Sequence, residues 1–397
     1  SKEPVYINYH FLNGKEGAHV SISGMSGIAT KTSYALFLLY SILNKAEDRQ
    51  KVRGIIFNVK GKDLLWIDKR NKHISQEDKE AFEKMGLKAE PFKDVVFYVP
   101  PTEEKPTIPD CERMDERVIP FYWSIREFAQ EGLIKFMFVE GDEGVSNINY
   151  LIDKVANRLY QLAKESPSGV LIDEYGRGIE SLDALYNAFQ EAIEDKQENK
   201  NSEIYKRWFG DAQLQTVLAF LRRFERAKNY VKRFVREDMS SPIRWEDSRL
   251  SVIDISSLHS IAKMFVVGSV LKKLFKEKED RSNPDPKVFV VLDELNKYAP
   301  KEDWSPIKDI ILDIAERGRS LGVILIGAQQ TASEIEKRIV ANSAIKVVGR
   351  LDSSEVHSKE YDFLIGNFRQ RAIMLKKGTM VLYQPDIPVP LVVRFPK

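Results

Sequence analysis

The 397-residue chain is long enough to bury a sizeable core, in one large domain or in two. Its 61 lysines and arginines against 59 acidic residues leave a net charge of +2, so any contact with a nucleic acid must come from a local basic patch. The single cysteine, Cys111, excludes an internal disulfide and suits a reducing compartment. No apolar run reaches membrane-spanning length. We therefore expect a cytoplasmic protein that makes no membrane contact.

A glycine-bearing loop near the start of the sequence carries the strongest functional signal. It lies between His19–Ser23, which alternates like a half-buried strand, and the apolar segment Ser33–Leu43, which is long enough for a buried helix. A strand, a loop, a Lys-Thr pair and a helix follow one another in a phosphate-binding P-loop. Lys31 would then contact the β- and γ-phosphates, and the Thr32 hydroxyl would ligate Mg²⁺. The predicted nucleotide-binding residues are Gly24, Met25, Ser26, Gly27, Ile28, Ala29, Thr30, Lys31, Thr32 and Ser33.

This loop departs from the standard P-loop sequence. The standard motif has one glycine six residues before the lysine and another immediately before it, but Met25 and Thr30 occupy those places. Because a β-branched residue resists the positive φ that glycine adopts freely, the loop must close along a different path. The alternative interpretation is a glycine-serine turn that leads into a core helix.

The remaining apolar runs predict an α/β fold. Runs of this length, separated by helical or irregular segments, are typical of buried strands in a parallel sheet with crossover connections. We assign the first part of the core to residues 1–100 and the second part to residues 246–397. The predicted strands are Gly54–Val59, Asp94–Val99, Leu250–Ile255, Lys287–Leu292, Leu321–Ala328 and Ala344–Gly349.

Residues 101–245 are predicted to form a helical insertion in this core. Within it, the polar segment Asp195–Glu203 is interpreted as a mobile loop. The helical periodicity covers Ile119–Gly132, Ser146–Lys164, Ile179–Glu194 and Ala212–Glu237.

The last of these predicted helices separates its charges from its apolar side chains. Its apolar face holds Val217, Phe220, Phe224, Ala227, Val231 and Val235. A stripe of arginines on the opposite face could follow a phosphate backbone, although a solvated helix face is the commoner explanation. This arginine stripe consists of Arg222, Arg226, Arg233 and Arg236.

Two acidic residues end the strand Lys287–Leu292. The carboxyl ends of strands in open α/β sheets are where ligands bind. Asp293 would hold Mg²⁺, and Glu294 could orient or polarise the attacking water. The alternative is an acidic helix start that complements the helix dipole.

Two further strand ends carry polar candidates. Gln330 follows the strand Leu321–Ala328 and could touch the γ-phosphate or its water, or could simply cap the next turn. Arg350 follows the strand Ala344–Gly349 and could lie near the nucleotide of its own subunit.

Four segments together resemble the HerA/FtsK-type P-loop ATPases, especially the HerA-like branch. The resemblance lies in both ends of the chain, about residues 5–65 and 250–395, whereas the middle is similar mainly in being a helical insertion. The similar segments are the acidic motif Asp293–Pro300, the arginine-glycine segment Ala315–Val323, the glutamine motif Gly327–Ser333 and the strand Val348–Asp352.

The resemblance implies a RecA-like core in a hexameric ring, with ATP and Mg²⁺ bound between subunits. It also implies translocation of DNA, which we expect to be duplex, and a possible nuclease partner of the NurA type. Arg319 matches the arginine-glycine position and is the favoured arginine finger for the next subunit, with Arg350 as the second candidate. Alternatively, Arg317 and Arg319 only cap a helix C-terminus.

The sequence leaves two other functions open. One is a nucleotide-binding regulatory or scaffold protein whose altered loop binds ATP with little turnover. The other is a ring ATPase that moves protein substrates.

Overall fold

The computed structural model describes residues 3–25, 31–138, 145–166, 170–173, 175–281 and 283–396. The predicted loop residues Ser26, Gly27, Ile28, Ala29 and Thr30 lie outside these ranges. The strands are β1 (Val20–Ser23), β2 (Val52–Asn58), β3 (Val95–Val99), β4 (Val118–Pro120), β5 (Trp123–Ser124), β6 (Leu171–Ile172), β7 (Gly178–Ile179), β8 (Val235–Arg236), β9 (Leu250–Asp254), β10 (Lys287–Leu292), β11 (Val323–Gln329), β12 (Ile345–Val348), β13 (Thr379–Tyr383) and β14 (Leu391–Arg394).

Helices connect most of these strands. They are α1 (Lys31–Lys45), α2 (Gln76–Lys84), α3 (Ile125–Gln130), α4 (Val145–Glu165), α5 (Leu182–Glu198), α6 (Glu203–Phe209), α7 (Leu214–Val231), α8 (Ser260–Glu279), α9 (Leu295–Tyr298), α10 (Lys308–Leu321), α11 (Lys337–Asn342) and α12 (Phe368–Ile373). Every helix in the described ranges is too short or too polar to span a lipid bilayer.

Ten of the strands form one mainly parallel sheet within the described residues, in the order β14-β13-β12-β1-β11-β10-β2-β9-β3-β4. Only the pairs that involve β13 are antiparallel in this sheet. The strand β11 lies between β1 and β10, and β2 lies on the other side of β10. The predicted mainly parallel α/β fold is therefore confirmed, and the carboxyl ends of β1, β2, β10 and β11 share one edge of the sheet.

Apolar side chains cover both faces of this sheet, as a buried parallel sheet requires. On one face, Phe289 and Val291 of β10 pack in a core with Leu38 and Leu39 of α1. On the other face, Val290 of the same strand belongs to a second core, which includes the side chains of α8 and of residues 121–245. The alternation of one strand thus places successive side chains in two different cores.

The middle of the chain packs through aromatic side chains. Phe189 of α5 lies edge-on to Trp208 of α6, with ring centroids 5.1 Å apart, and Phe138 stacks on Phe220 of α7 at 5.2 Å. These rings share one continuous core with α8 and β10. The division of the chain into residues 1–100, 101–245 and 246–397 stays a prediction.

Three local predictions for the middle of the chain are wrong. The segment Asp195–Glu203 is not a loop throughout, because α5 continues to Glu198 and the buried Ser202 caps α6. The segment Ile119–Gly132 is not one helix, since it contains the end of β4, the strand β5 and the shorter helix α3. The helix predicted for Ala212–Glu237 ends at Val231, after which a 3₁₀ turn leads into β8.

Candidate nucleotide site

The chain leaves β1 between the ends of two neighbouring strands. The Gly24 N–H donates to the carbonyl oxygens of Gln329 and Gln330, at 3.2 and 3.3 Å, and the Met25 N–H donates to that of Arg350 at 2.7 Å. Gly24 has φ +153°, and a Cβ there would lie 3.3 Å from the Arg350 carbonyl oxygen. A glycine is therefore required where the predicted P-loop begins.

Lys31 is the first residue of α1 and is buried. Its ammonium group donates to the Gly24 carbonyl oxygen at 2.6 Å, so its side chain reaches back to the start of the loop. Burial lowers the pKa of Lys31, and the carboxylates of Asp293 and Glu294 oppose that effect. This is a cation held at a helix N-terminus, an arrangement suited to binding an anion such as a phosphate.

The Thr32 hydroxyl donates to Oδ2 of Asp293 at 2.7 Å. The other carboxylate oxygen of Asp293 accepts the N–H of Glu294 at 2.8 Å, and the Asp293 side chain is buried. A hydroxyl and a carboxylate oxygen are ligands of the kind that Mg²⁺ takes in phosphate-binding sites. The two residues predicted to hold the metal are therefore in contact, and their chemistry fits it. Ser33, which was predicted to bind the nucleotide, lies in the first turn of α1.

Glu294 adopts a left-handed backbone conformation, with φ +58°. One of its carboxylate oxygens lies 2.8 Å from the Lys60 ammonium, and the other lies 2.9 Å from that of Lys297. Burial raises the pKa of Glu294, but the two lysines outweigh burial, so its pKa is below the ordinary value for glutamate. The carboxylate is therefore held ionised next to Asp293.

Gln330 and Arg350 both lie at the edge of the sheet where the loop begins. Their backbone carbonyl oxygens bond to Gly24 and Met25, and both side chains are exposed. The neighbouring Gln329 is buried and donates to the Ser21 hydroxyl at 2.7 Å. The structure therefore brings the backbone of both predicted residues to the site. The Gln329 side chain connects β11 to β1 through its hydrogen bond to Ser21.

Arg319 lies at the opposite edge of the sheet, at the end of α10 and before β11. Its Nε donates to the Gly14 carbonyl oxygen at 2.9 Å, and its Nη2 donates to that of Lys15. The side chain is exposed. Within one subunit, Arg319 therefore stays apart from Lys31 and Asp293.

The predicted arginine stripe does not lie on one helix. Arg222 and Arg226 are exposed on α7, whereas Arg233 and Arg236 follow its end. Arg233 pairs with Asp110 at 2.9 Å, and Arg236 donates to the Glu103 carbonyl oxygen at 3.0 Å. The prediction of one four-arginine face is wrong, because α7 ends at Val231. The predicted apolar face is buried throughout.

Lys60 and Lys297 are the site residues that our sequence reasoning missed. Lys60 lies two residues after Asn58, the end of β2, and polar residues after parallel strands are ligand candidates at the carboxyl edge of a sheet. That rule could have identified Lys60. Lys297 has the weaker signal of a cation three residues after Glu294 at the start of a helix.

Solved structures at low sequence identity share this fold. The plasmid coupling protein TrwB, in complex with the non-hydrolysable GTP analogue GDPNP, is 12% identical over 95% of this chain and 85% of that chain, with a TM-score of 0.55. TrwB in complex with ADP and Mg²⁺ is 11% identical over 95% and 84%, with a TM-score of 0.54. VirB4 of Thermoanaerobacter pseudethanolicus is 14% identical over 97% and 91%, with a TM-score of 0.53.

No protein-family model matches the chain, and no curated protein matches it in sequence. The structural similarity shows the fold: a RecA-like P-loop ATPase fold, with a large and mainly parallel sheet. TrwB and VirB4 are proteins to which this chain is similar in that fold.

Proposed function

We propose that this chain is an ATPase of the HerA-like type that uses Mg²⁺ and translocates DNA. The observation that carries the proposal is the hydrogen bond between Thr32 and Asp293, with Lys31 and Glu294 on either side of it. These four side chains have the types and order of a P-loop hydrolase site. The structures of TrwB in complex with ADP and Mg²⁺ and with a non-hydrolysable ATP analogue support ATP as the proposed ligand.

In this proposal each residue has one task. Lys31 binds the β- and γ-phosphates, and Thr32 with Asp293 holds Mg²⁺. When bound, the metal neutralises charge that develops on the phosphate oxygens. Glu294 orients the attacking water, and Gln330 contacts the γ-phosphate or that water. The predicted loop residues 26–30 would bind the phosphates together with Gly24, Met25 and Ser33.

The proposal places the working protein in a ring, which we take to be a hexamer. The HerA-like resemblance implies that a neighbouring subunit completes the site, and Arg319 is our first candidate for the residue it supplies. Duplex DNA is the proposed substrate along which the ring moves. The exposed Arg222 and Arg226 on α7 are the surface residues we assign to it. A NurA-type nuclease partner is part of the same proposal and rests on the resemblance alone.

The experiment that tests the proposal measures ATP turnover with and without duplex DNA. We expect turnover that requires Mg²⁺ and that rises several-fold when duplex DNA is added, with single-stranded DNA as the comparison. The Lys31→Ala variant serves as the background, because loss of the phosphate-binding cation removes nucleotide binding. Turnover no greater than that of Lys31→Ala would contradict the proposal.

One observation favours a second function. Both oxygens of the Glu294 carboxylate are engaged by lysines, and such an acceptor is a weaker base. A nucleotide-binding regulatory protein with little turnover would suit that arrangement. ATP binding without turnover, whether or not DNA is present, would favour this regulatory function over the ATPase function.

A further inference from the structure

Lys60 reaches the site from a strand that the P-loop motifs do not include. The register pairs Phe57 of β2 with Leu292 of β10, so the chain that follows β2 runs beside Asp293 and Glu294. The Lys60 ammonium lies 2.8 Å from Oε1 of Glu294. This contact joins two parts of the chain that are adjacent only because β2 and β10 are neighbours in the sheet.

The contact fixes a residue whose backbone is already unusual. Glu294 is a non-glycine residue with φ +58°, a conformation that is unfavourable for a residue with a Cβ and persists where its surroundings impose it. Its side chain is 11% exposed, whereas that of Lys60 is 55% exposed. A mostly buried carboxylate is therefore held by a lysine that extends inward from the surface.

Lys60 and Lys297 do not contribute to the site in the same way. Lys297 lies three residues after Glu294, in the short helix α9 that Glu294 directly precedes, so its contact is a local pair of small energy. Lys60 comes from the turn after β2 and also repels the Lys31 ammonium electrostatically. The charge of Lys60 therefore acts on both Glu294 and the phosphate-binding lysine.

We propose that Lys60 is a positioning residue for Glu294, which fixes the direction of the carboxylate that orients the attacking water. This inference rests on the proposed ATPase function. Without the Lys60 ammonium, the Glu294 carboxylate would keep only its contact with Lys297 among the described contacts, and its orientation would be less restricted. Direct contact between Lys60 and a phosphate is a different role, and the test separates the two.

The test compares Lys60→Met, Lys60→Arg and the matched control Lys62→Met. Lys62 lies in the same turn and is also 55% exposed, but it pairs with Glu112 on the surface. In Lys60→Met we expect kcat to fall by about tenfold, because misplacement of a catalytic group is costly. The affinity for ATP should change less than about twofold, since a residue that acts through Glu294 does not bind the phosphates.

Lys60→Arg should restore most of kcat, and Lys62→Met should behave like the parent. An unchanged kcat in Lys60→Met would overturn the inference. So would a large loss of ATP affinity in Lys60→Met, because Lys60 would then be a phosphate ligand.

The parent protein separates this inference from the proposed function. If the parent shows no turnover above that of Lys31→Ala, the proposed function fails and the inference fails with it. If the parent hydrolyses ATP and Lys60→Met keeps the parental kcat, the inference alone fails.

Discussion

The Thr32 hydroxyl and the Asp293 carboxylate meet at 2.7 Å, although 261 positions separate the two residues in the chain. They meet because β1 and β10 are separated by the single strand β11 and end at the same edge of the sheet. These two side chains, a hydroxyl and a carboxylate, are the proposed ligands of Mg²⁺.

Removal of the Thr32 hydroxyl should impair the use of Mg²⁺. Thr32→Val keeps the shape of the side chain but removes one metal ligand and the hydrogen bond to Asp293. We expect turnover to fall by about a hundredfold, and the Mg²⁺ concentration for half-maximal rate to rise. Thr32→Ser retains a hydroxyl and should keep most of the activity. Mg²⁺ titrations of ATP turnover check this, and parental behaviour of Thr32→Val would remove Thr32 from the metal site.

Glu294→Gln should separate binding from hydrolysis. The amide keeps the size of the side chain but cannot act as a carboxylate toward the attacking water. We expect ATP binding to persist and turnover to fall by about a hundredfold or more. Lys31→Ala should instead abolish ATP binding or nearly so. Equilibrium binding and steady-state turnover measure the two effects, and parental turnover in Glu294→Gln would show that the assignment of Glu294 is wrong.

Arg319 should act on the site of a neighbouring subunit. Its guanidinium is at the edge of the sheet away from Lys31, and it bonds to two backbone carbonyl groups of residues 14 and 15. We expect Arg319→Ala and Lys31→Ala each to be inactive alone, while a mixture recovers part of the activity where intact halves meet. Arg350→Ala tests the second candidate in the same way.

The control for this mixing experiment is Arg317→Ala. Arg317 occupies the same helix end and pairs with Glu279, so it should not be needed for turnover. Activity of Arg319→Ala alone, or no recovery in mixtures that demonstrably co-assemble, would contradict the trans assignment.

The two arginines of the predicted stripe that lie on α7, Arg222 and Arg226, should contact DNA. Charge reversal at Arg222 and Arg226 should weaken duplex binding and flatten its salt dependence, because fewer counterions are released. ATP binding should be unaffected. Charge reversal at Arg233 is the comparison, since it breaks the pair with Asp110 and should act on stability. Binding isotherms at several salt concentrations measure both, and an unchanged affinity and slope would assign α7 to the solvated surface.

The pair Arg113–Asp68 should make stability depend on pH. Their side chains are 2% and 1% exposed, and burial raises the pKa of Asp68, but Arg113 outweighs it and lowers that pKa. Because the folded-state pKa is depressed, this contribution to stability is present above the unfolded value of about 3.9 and is lost as pH falls through the folded value.

Arg113→Met should therefore reduce the free energy of unfolding by about 3–5 kcal/mol near neutral pH, and by less in acid, where Asp68 becomes protonated. The control is Arg117→Met, because Arg117 also contacts Asp68 but is 49% exposed, and its loss should cost less than about 1 kcal/mol. Urea unfolding at neutral and acid pH gives both numbers. Equal losses of unfolding free energy at neutral and acid pH would exclude an effect of the Asp68 charge.

Prediction from the sequence succeeded where the residues of a motif are close together in the chain. The order of Gly24, Lys31 and Thr32 between a strand and a helix predicted the start of α1, and two acids after an apolar run predicted the end of β10. Each of these patterns lies within about ten residues. Their meeting could be anticipated because parallel strands end at one edge.

Prediction from the sequence failed where the structure depends on contacts between residues that are distant in the chain. The contact between Lys60 and Glu294 depends on the order of strands in the sheet, which no local pattern records. The apolar period of α7 continues through Val235, although the helix itself ends at Val231. Residues 195–203 are polar enough to suggest a loop, but a buried Ser202 cap starts a helix there.

The environment of Cys111 has a practical consequence for labelling. It is the only cysteine in the sequence, it is partly buried, and its thiol lies 3.0 Å from the Arg113 carbonyl oxygen as a donor. Burial raises the pKa of this thiol, so the reactive thiolate is scarce at neutral pH. Cysteines introduced at Tyr160 of α4 and Met374 after α12, which are 52% and 70% exposed, should react with maleimide dyes far faster than Cys111. Fluorescence energy transfer between such dyes could then follow the assembly of subunits with the native cysteine left in place.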